Sequence, residues 1–201
     1  MSITKSLILA ILIWVAGVGG SRLVSSNDPV QTVDEVDLER YDGLWYEIAK
    51  TPNLFAIGCT CTTATYSQLS ETTIGVLNGC NRVRPQGPLS LIRGLARVTN
   101  AAEPGKLRLV FEEVPFPADY WIVDLVENPA DPEGDYLYAA VGGPERDFIF
   151  IISRKPNLTT TQDKRAVLGI VNRLRDQHFP VEELELSPQP NSCTYEERDF
   201  L

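Results

Sequence analysis

The 201-residue chain predicts an all-β fold: an eight-stranded antiparallel up-and-down barrel with one C-terminal α-helix packed outside it. Three observations point there. From about residue 43 onward, apolar and polar residues alternate with period two in eight successive runs. Clusters of Gly, Pro, Asn and Asp separate those runs at roughly even spacing. Only one later stretch carries helical spacing. A meander of eight strands leaves two edges exposed unless it closes on itself, and closure removes them.

The elements follow in order. Residues 1–25 read as an export signal: MSITK supplies a lysine, and LILAILIWVAGVGG is an apolar run of about a dozen residues ending in small ones, short for a membrane span. An uncleaved anchor is the alternative. Residues 26–40 form a polar arm. The strands are expected at 43–51, 60–68, 72–81, 89–98, 105–113, 119–127, 135–141 and 147–154, with turns at SET, RPQGP, AAEPG, FPA, NPADPEG and GGPER. KLRLVFEE shows the pattern cleanly, with Leu107, Leu109 and Phe111 on one face and Lys106, Arg108 and Glu112 on the other. The segment KPNLTTTQDKRAVLGIVNRLRDQHFP opens on threonines able to cap a helix and closes before a proline. Ala166, Leu168, Ile170, Val171 and Leu174 include helix-spaced apolar positions, enough for one buried stripe. The short run VEELEL follows. One domain spans 41–193, and 194–201 is a polar tail.

Composition narrows the partners. With 43% hydrophobic and 22% charged residues the chain can bury an ordinary core, and a net charge of −9 disfavours nucleic acid and anionic membrane surfaces. The four cysteines, Cys59, Cys61, Cys80 and Cys193, form an even set, which in an exported chain reads as two disulfides. Three connectivities are open in principle, but Cys59 and Cys61 on one strand stand about 7 Å apart, too far to bond each other. A metal site is the rival. The one histidine, His178, lies far off in the helical segment, and Cys-x-Cys is not a structural zinc spacing. No cofactor is implied.

Four stretches together make the pattern specific: GLWYEIAK (43–50), CTTATYS followed by TIGVLN (61–67 and 73–78), PADYWIVDL (117–125) and FIFIISRKPNL (148–158). In this order and spacing the chain resembles the lipocalins, in particular the branch containing apolipoprotein D and the bacterial lipocalins. The resemblance implies a calyx closed at one end. There Gly43 and Trp45 open the first strand, Trp45 plugs the closed end and Arg154 lies across it. A guanidinium over an indole gains about 0.5–2 kcal/mol. It also implies a Cys61–Cys193 disulfide, which leaves Cys59 with Cys80 across the hairpin folded about Ser70.

With Trp45 inward, strand parity places Glu47 and Ala49 inward and Leu44, Tyr46 and Ile48 outward. By resemblance, Ala64, Tyr66, Val76 and Asn78 line the pocket and Phe150 is an aromatic wall; alternation adds Leu107, Leu109 and Phe111. The alternative for each is ordinary packed core. Glu47 either meets an arginine or tyrosine near the closed end or borders water that a ligand displaces, since an unpaired carboxylate in an apolar cup costs several kcal/mol. The implied function is export to the extracellular space, the periplasm or a thylakoid lumen, and carriage of a small hydrophobic ligand: a fatty acid, lysolipid, sterol, retinoid or carotenoid. The alternatives are a calyx enzyme using Glu47 or Asp124 as an acid on a lipid or carotenoid, and an interaction module with a filled barrel. Small inward candidates, Ala49, Ala64, Gly94 and Ala96, argue for open space.

Overall fold

A computed structural model describes residues 25–195. The expected export signal and most of the polar tail lie outside those residues. Eight strands form the barrel: β1 (Gly43–Lys50), β2 (Cys59–Ser70), β3 (Thr73–Arg82), β4 (Leu89–Val98), β5 (Lys106–Phe111), β6 (Ala118–Val126), β7 (Tyr138–Gly142) and β8 (Ile149–Ser153). Each pairs antiparallel with the next, β8 pairs with β1, and β1 pairs with β2 over residues 43–46 and 63–66, which closes the ring. A four-residue helix, α1 (Leu38–Tyr41), caps the end where β1 begins, and the long helix α2 (Thr161–Asp176) packs outside. Among the described residues no helix is long and apolar enough to cross a membrane.

The helix starts where its sequence says it should. Thr160 accepts from the Asp163 backbone N–H while Asp163 accepts from the Thr160 N–H, a reciprocal cap. Ile170 and Leu174 are fully buried against Ile48, Ala140, Ile149 and Ile151 on the outer face of the sheet, and form the stripe, whereas Leu168 is exposed. Arg173 fastens the helix to β6 by two bonds to Asp124, at 2.6 and 3.1 Å.

Two irregularities change the parity. In β1, Glu47 pairs with Ile152 but Ala49 pairs with Ile151, so Ile48 is an extra residue and the alternation slips past it. Ala49 therefore joins Ile48 in the cluster under α2, and the expectation that it faces inward is wrong. Lys50, opposite Phe150, takes that inward place. A second slip lies between Ile122 and Asp124 in β6 and turns both Val123 and Asp124 outward.

VEELEL does more than follow the helix. After a 3-10 turn (Val181–Glu183), β9 (Glu185–Leu186) pairs with Lys50 and Ala49 of β1 where β2 has diverged from it. The chain beyond β9 fills the rest of the gap. Ser187 N–H donates to Ile48 O, Cys61 N–H donates to Pro188 O, and the Gln189 amide donates to Glu47 O and Thr62 O. The C-terminal segment is thus part of the barrel wall.

Candidate functional site

One end of the barrel is sealed. Trp45 is fully buried and its indole N–H donates to Tyr41 O at 2.9 Å. The Arg154 guanidinium carbon sits 4.2 Å from the centre of the Trp45 ring. Its nitrogens donate to the carbonyls of Tyr136, Leu44, Arg40 and Asp42, which tie the closing segments together. Burial pulls the Arg154 pKa below its ordinary value, though its partners leave it a cation. Gly43 has φ +92°, a conformation that favours glycine, and a Cβ there would crowd Arg154 Nη1 at 3.1 Å.

Above this closure the barrel is solid. Tyr41, Tyr66 and Tyr120 form a buried hydroxyl chain, with Oη–Oη distances of 2.8 Å from Tyr41 to Tyr120 and 2.7 Å from Tyr120 to Tyr66. Burial pushes the Tyr66 phenol up to about 12 and raises Tyr41 and Tyr120 as well, so all three stay neutral. Sequence reasoning found Tyr66 but missed Tyr41 and Tyr120; Tyr41 lies in α1 ahead of β1 and Tyr120 on β6, 54 residues beyond Tyr66, so only the closed barrel brings the three together. Ile74, Val76, Ala96 and Ile122 have no exposed surface and Leu107 has 1%. Val76 and Leu107 pack in one cluster with Trp45, Tyr41 and Tyr66 and belong to the floor.

Toward the other end the inner face opens. Register puts Asn78 opposite Ala64 and Ile92, Phe111 opposite Gly94, and Phe150 opposite Val141. Asn78, Ile92, Phe111 and Phe150 are all half-buried, while Leu109 and Ala64, deeper on the same face, are buried. Gly94 is glycine because a Cβ would meet Phe111 Cδ1 at 2.8 Å and Val110 O at 2.5 Å. The loops around this mouth expose Leu54, Ile57, Val83 and Phe116.

Glu47 sits between floor and mouth, and its partners are Lys50 and Ser187 rather than the expected arginine or tyrosine. Lys50 Nζ lies 3.1 Å from Glu47 Oε1 and 3.2 Å from Ser187 Oγ, and Ser187 Oγ donates to the same Oε1. The three residues are buried and come from β1 and the C-terminal segment. Asp124, the other acid considered for catalysis, points away from the cup to Arg173. His178 lies just past α2 in a left-handed conformation. Cys59 bonds Cys80 and Cys61 bonds Cys193, with Cα separations of 5.5 and 5.6 Å. Among the described residues there is no free cysteine and no cluster of three or more His, Cys, Asp or Glu able to hold a metal. Two shallow clefts of about 690 and 670 Å³ lie outside the barrel at its sealed end, the first lined in part by Asp34, Glu35, Asp37 and Arg40, and neither adjoins the mouth.

The family model of the lipocalin-like domain matches residues 36–189. Apolipoprotein D of Rattus norvegicus is 41% identical over 95 residues, 47% of this chain and 48% of that protein, so the matched part spans about half its length. The outer membrane lipoprotein Blc of Escherichia coli K12 is 32% identical over 164 residues, 81% of this chain and 85% of that protein. Among solved structures, insecticyanin of the tobacco hornworm Manduca sexta matches with a TM-score of 0.64 at 18% identity, covering 83% of this chain and 88% of that one. The amine-binding protein of Rhodnius prolixus, solved with tryptamine, matches with a TM-score of 0.58 at 16% identity over 84% of this chain and 89% of that one.

Proposed function

The chain belongs to the lipocalin family, and from that premise we propose that it is an exported carrier or scavenger holding a small hydrophobic ligand in the open half of its barrel. The supporting observation is the gradient of burial along the inner face, from Trp45, Ile74 and Val76 with no exposure to Asn78, Ile92, Phe111 and Phe150, which solvent reaches. A cup with a dry floor and an accessible apolar wall takes up apolar surface at about 25 cal/mol per Å² removed from water.

The ligand contacts fall on Ala64, Asn78, Leu109, Phe111 and Phe150, with Glu47 at the polar side; Tyr66, Val76 and Leu107 support them from below. Fatty acids, lysolipids, sterols, retinoids and carotenoids suit such a wall, and Phe111 and Phe150 suit flat or polyene bodies. Two disulfides fit the oxidising compartments outside the cytosol, whether periplasm, lumen or extracellular space.

Binding of N-phenyl-1-naphthylamine, a neutral apolar dye, to delipidated protein tests this. Saturable binding with micromolar or tighter Kd is expected, weakened at least tenfold by Asn78→Trp, which puts an indole in the mouth. Absence of saturable binding, or an Asn78→Trp variant that binds as the parent does, refutes it.

A further inference from the structure

We propose that the Glu47–Lys50 pair is the head-group site of the cup, and that it selects an amphiphile with a neutral head that both donates and accepts hydrogen bonds, a hydroxyl or a carboxamide. This rests on the carrier function above and adds the ligand's chemistry to it.

The position is suitable. Glu47 lies opposite Ile152 of the inner cluster, and Lys50 lies opposite Phe150, which solvent reaches from the mouth. The Glu47 carboxylate also contributes to holding up the pKa of Tyr66, so its field reaches the floor. A ligand entering between Phe111 and Phe150 with its apolar end at Leu109 and Ala64 passes this pair.

The unused bonding capacity fixes the class. Glu47 Oε1 accepts from both Lys50 and Ser187, but among the described residues no donor reaches Oε2. The Lys50 ammonium has three protons. One goes to Glu47 Oε1 and one to Ser187 Oγ, and among the described residues no acceptor takes the third. A purely structural pair explains the first two bonds and leaves an acceptor and a donor idle in a buried place, where idle polar groups are costly. One hydroxyl or carboxamide serves both, giving its proton to Oε2 and its oxygen to Nζ.

Charge selects further. The pair sums to zero. A ligand carboxylate would satisfy Lys50 but bring a second anion beside Glu47, and a ligand ammonium would do the reverse beside Lys50. Either adds a net charge to a half-dry cup, which low dielectric penalises. A neutral head adds none.

Three chain-matched probes decide it: 1-hexadecanol, palmitate and hexadecylamine, titrated calorimetrically into the purified, delipidated protein at pH 7.5. Hexadecanol is expected to bind at least tenfold tighter than either charged probe. Glu47→Gln should raise palmitate affinity about tenfold, and Lys50→Met should do the same for hexadecylamine. Palmitate or hexadecylamine binding as tightly as the alcohol, or a ranking untouched by both variants, overturns the proposal while leaving the carrier function standing. Failure of all three probes overturns both. Circular dichroism verifies that each variant is folded; should neither be, the parent protein's ranking of the three probes decides alone.

Discussion

Arg154 is the residue on which the sealed end depends. It gives bonds to the carbonyls of Arg40, Asp42, Leu44 and Tyr136 and stacks on Trp45, so its removal leaves several half-buried acceptors without a donor. Arg154→Ala should lower stability by roughly 3 kcal/mol. Arg154→Lys should recover less than half of that, because an ammonium lacks the planar fork; urea unfolding of the two variants measures both. Asp163 offers a pH-dependent counterpart. Bonds from Lys155 and Tyr138 hold its carboxyl well below the usual carboxylate range. Unfolded, it titrates near pH 4. Its contribution is therefore complete above that pH and fades as the pH falls toward the lower folded value. Asp163→Asn should be less stable than the parent at pH 7, with the difference narrowing below pH 4. A difference that stays constant from pH 7 to pH 2.5 contradicts this.

The strands and the helix were legible because they obey simple periods: KLRLVFEE alternates, and TTQDKRAVLGIVNRLRD (160–176) carries a cap and a stripe. Where an element departs from its period, the pattern misleads. Nothing in WYEIAK marks Ile48 as the extra residue; the slip is set by the register with β8 and by the C-terminal segment that bonds Ile48 O, both distant in sequence. Strict alternation therefore places Ala49 inward and passes over Lys50. Glu47 was legible as an oddity, a charge on an inward parity, but its partner Ser187 lies 140 residues away. The same segment explains the cysteines at this scale. Cys61–Cys193 closes a loop of 132 residues and Cys59–Cys80 one of 21. Restriction of the unfolded chain then predicts losses of about 5 and 3 kcal/mol when each pair is replaced by alanines. The former should also release Ser187 from Glu47. Denaturant midpoints of the two double-alanine variants test the order, and an equal or reversed order contradicts it.

At the scale of the molecule, the fold divides its interior between two tasks. Trp45, Arg154 and the three linked tyrosines give up the lower half to packing, which holds the ring closed without help from a ligand. The upper half, between Phe111 and Phe150, is left with partly exposed apolar walls that contribute less to stability than a filled core would. A ligand that completes this half binds the folded chain and not the unfolded one, so it must raise the melting temperature in proportion to its occupancy. At a free concentration of 100 times Kd the gain is about 2.7 kcal/mol. For a chain of this length each kcal/mol corresponds to about 2–4 °C, so hexadecanol at that excess should raise Tm by roughly 5–10 °C. Asn78→Trp should cut the rise to about half or less, and Arg154→Ala should lower the starting Tm but keep the rise intact, because floor and mouth are separate. A rise lost equally in both variants would mean that the two halves are one core, and that the cup does not exist as a site apart from its seal.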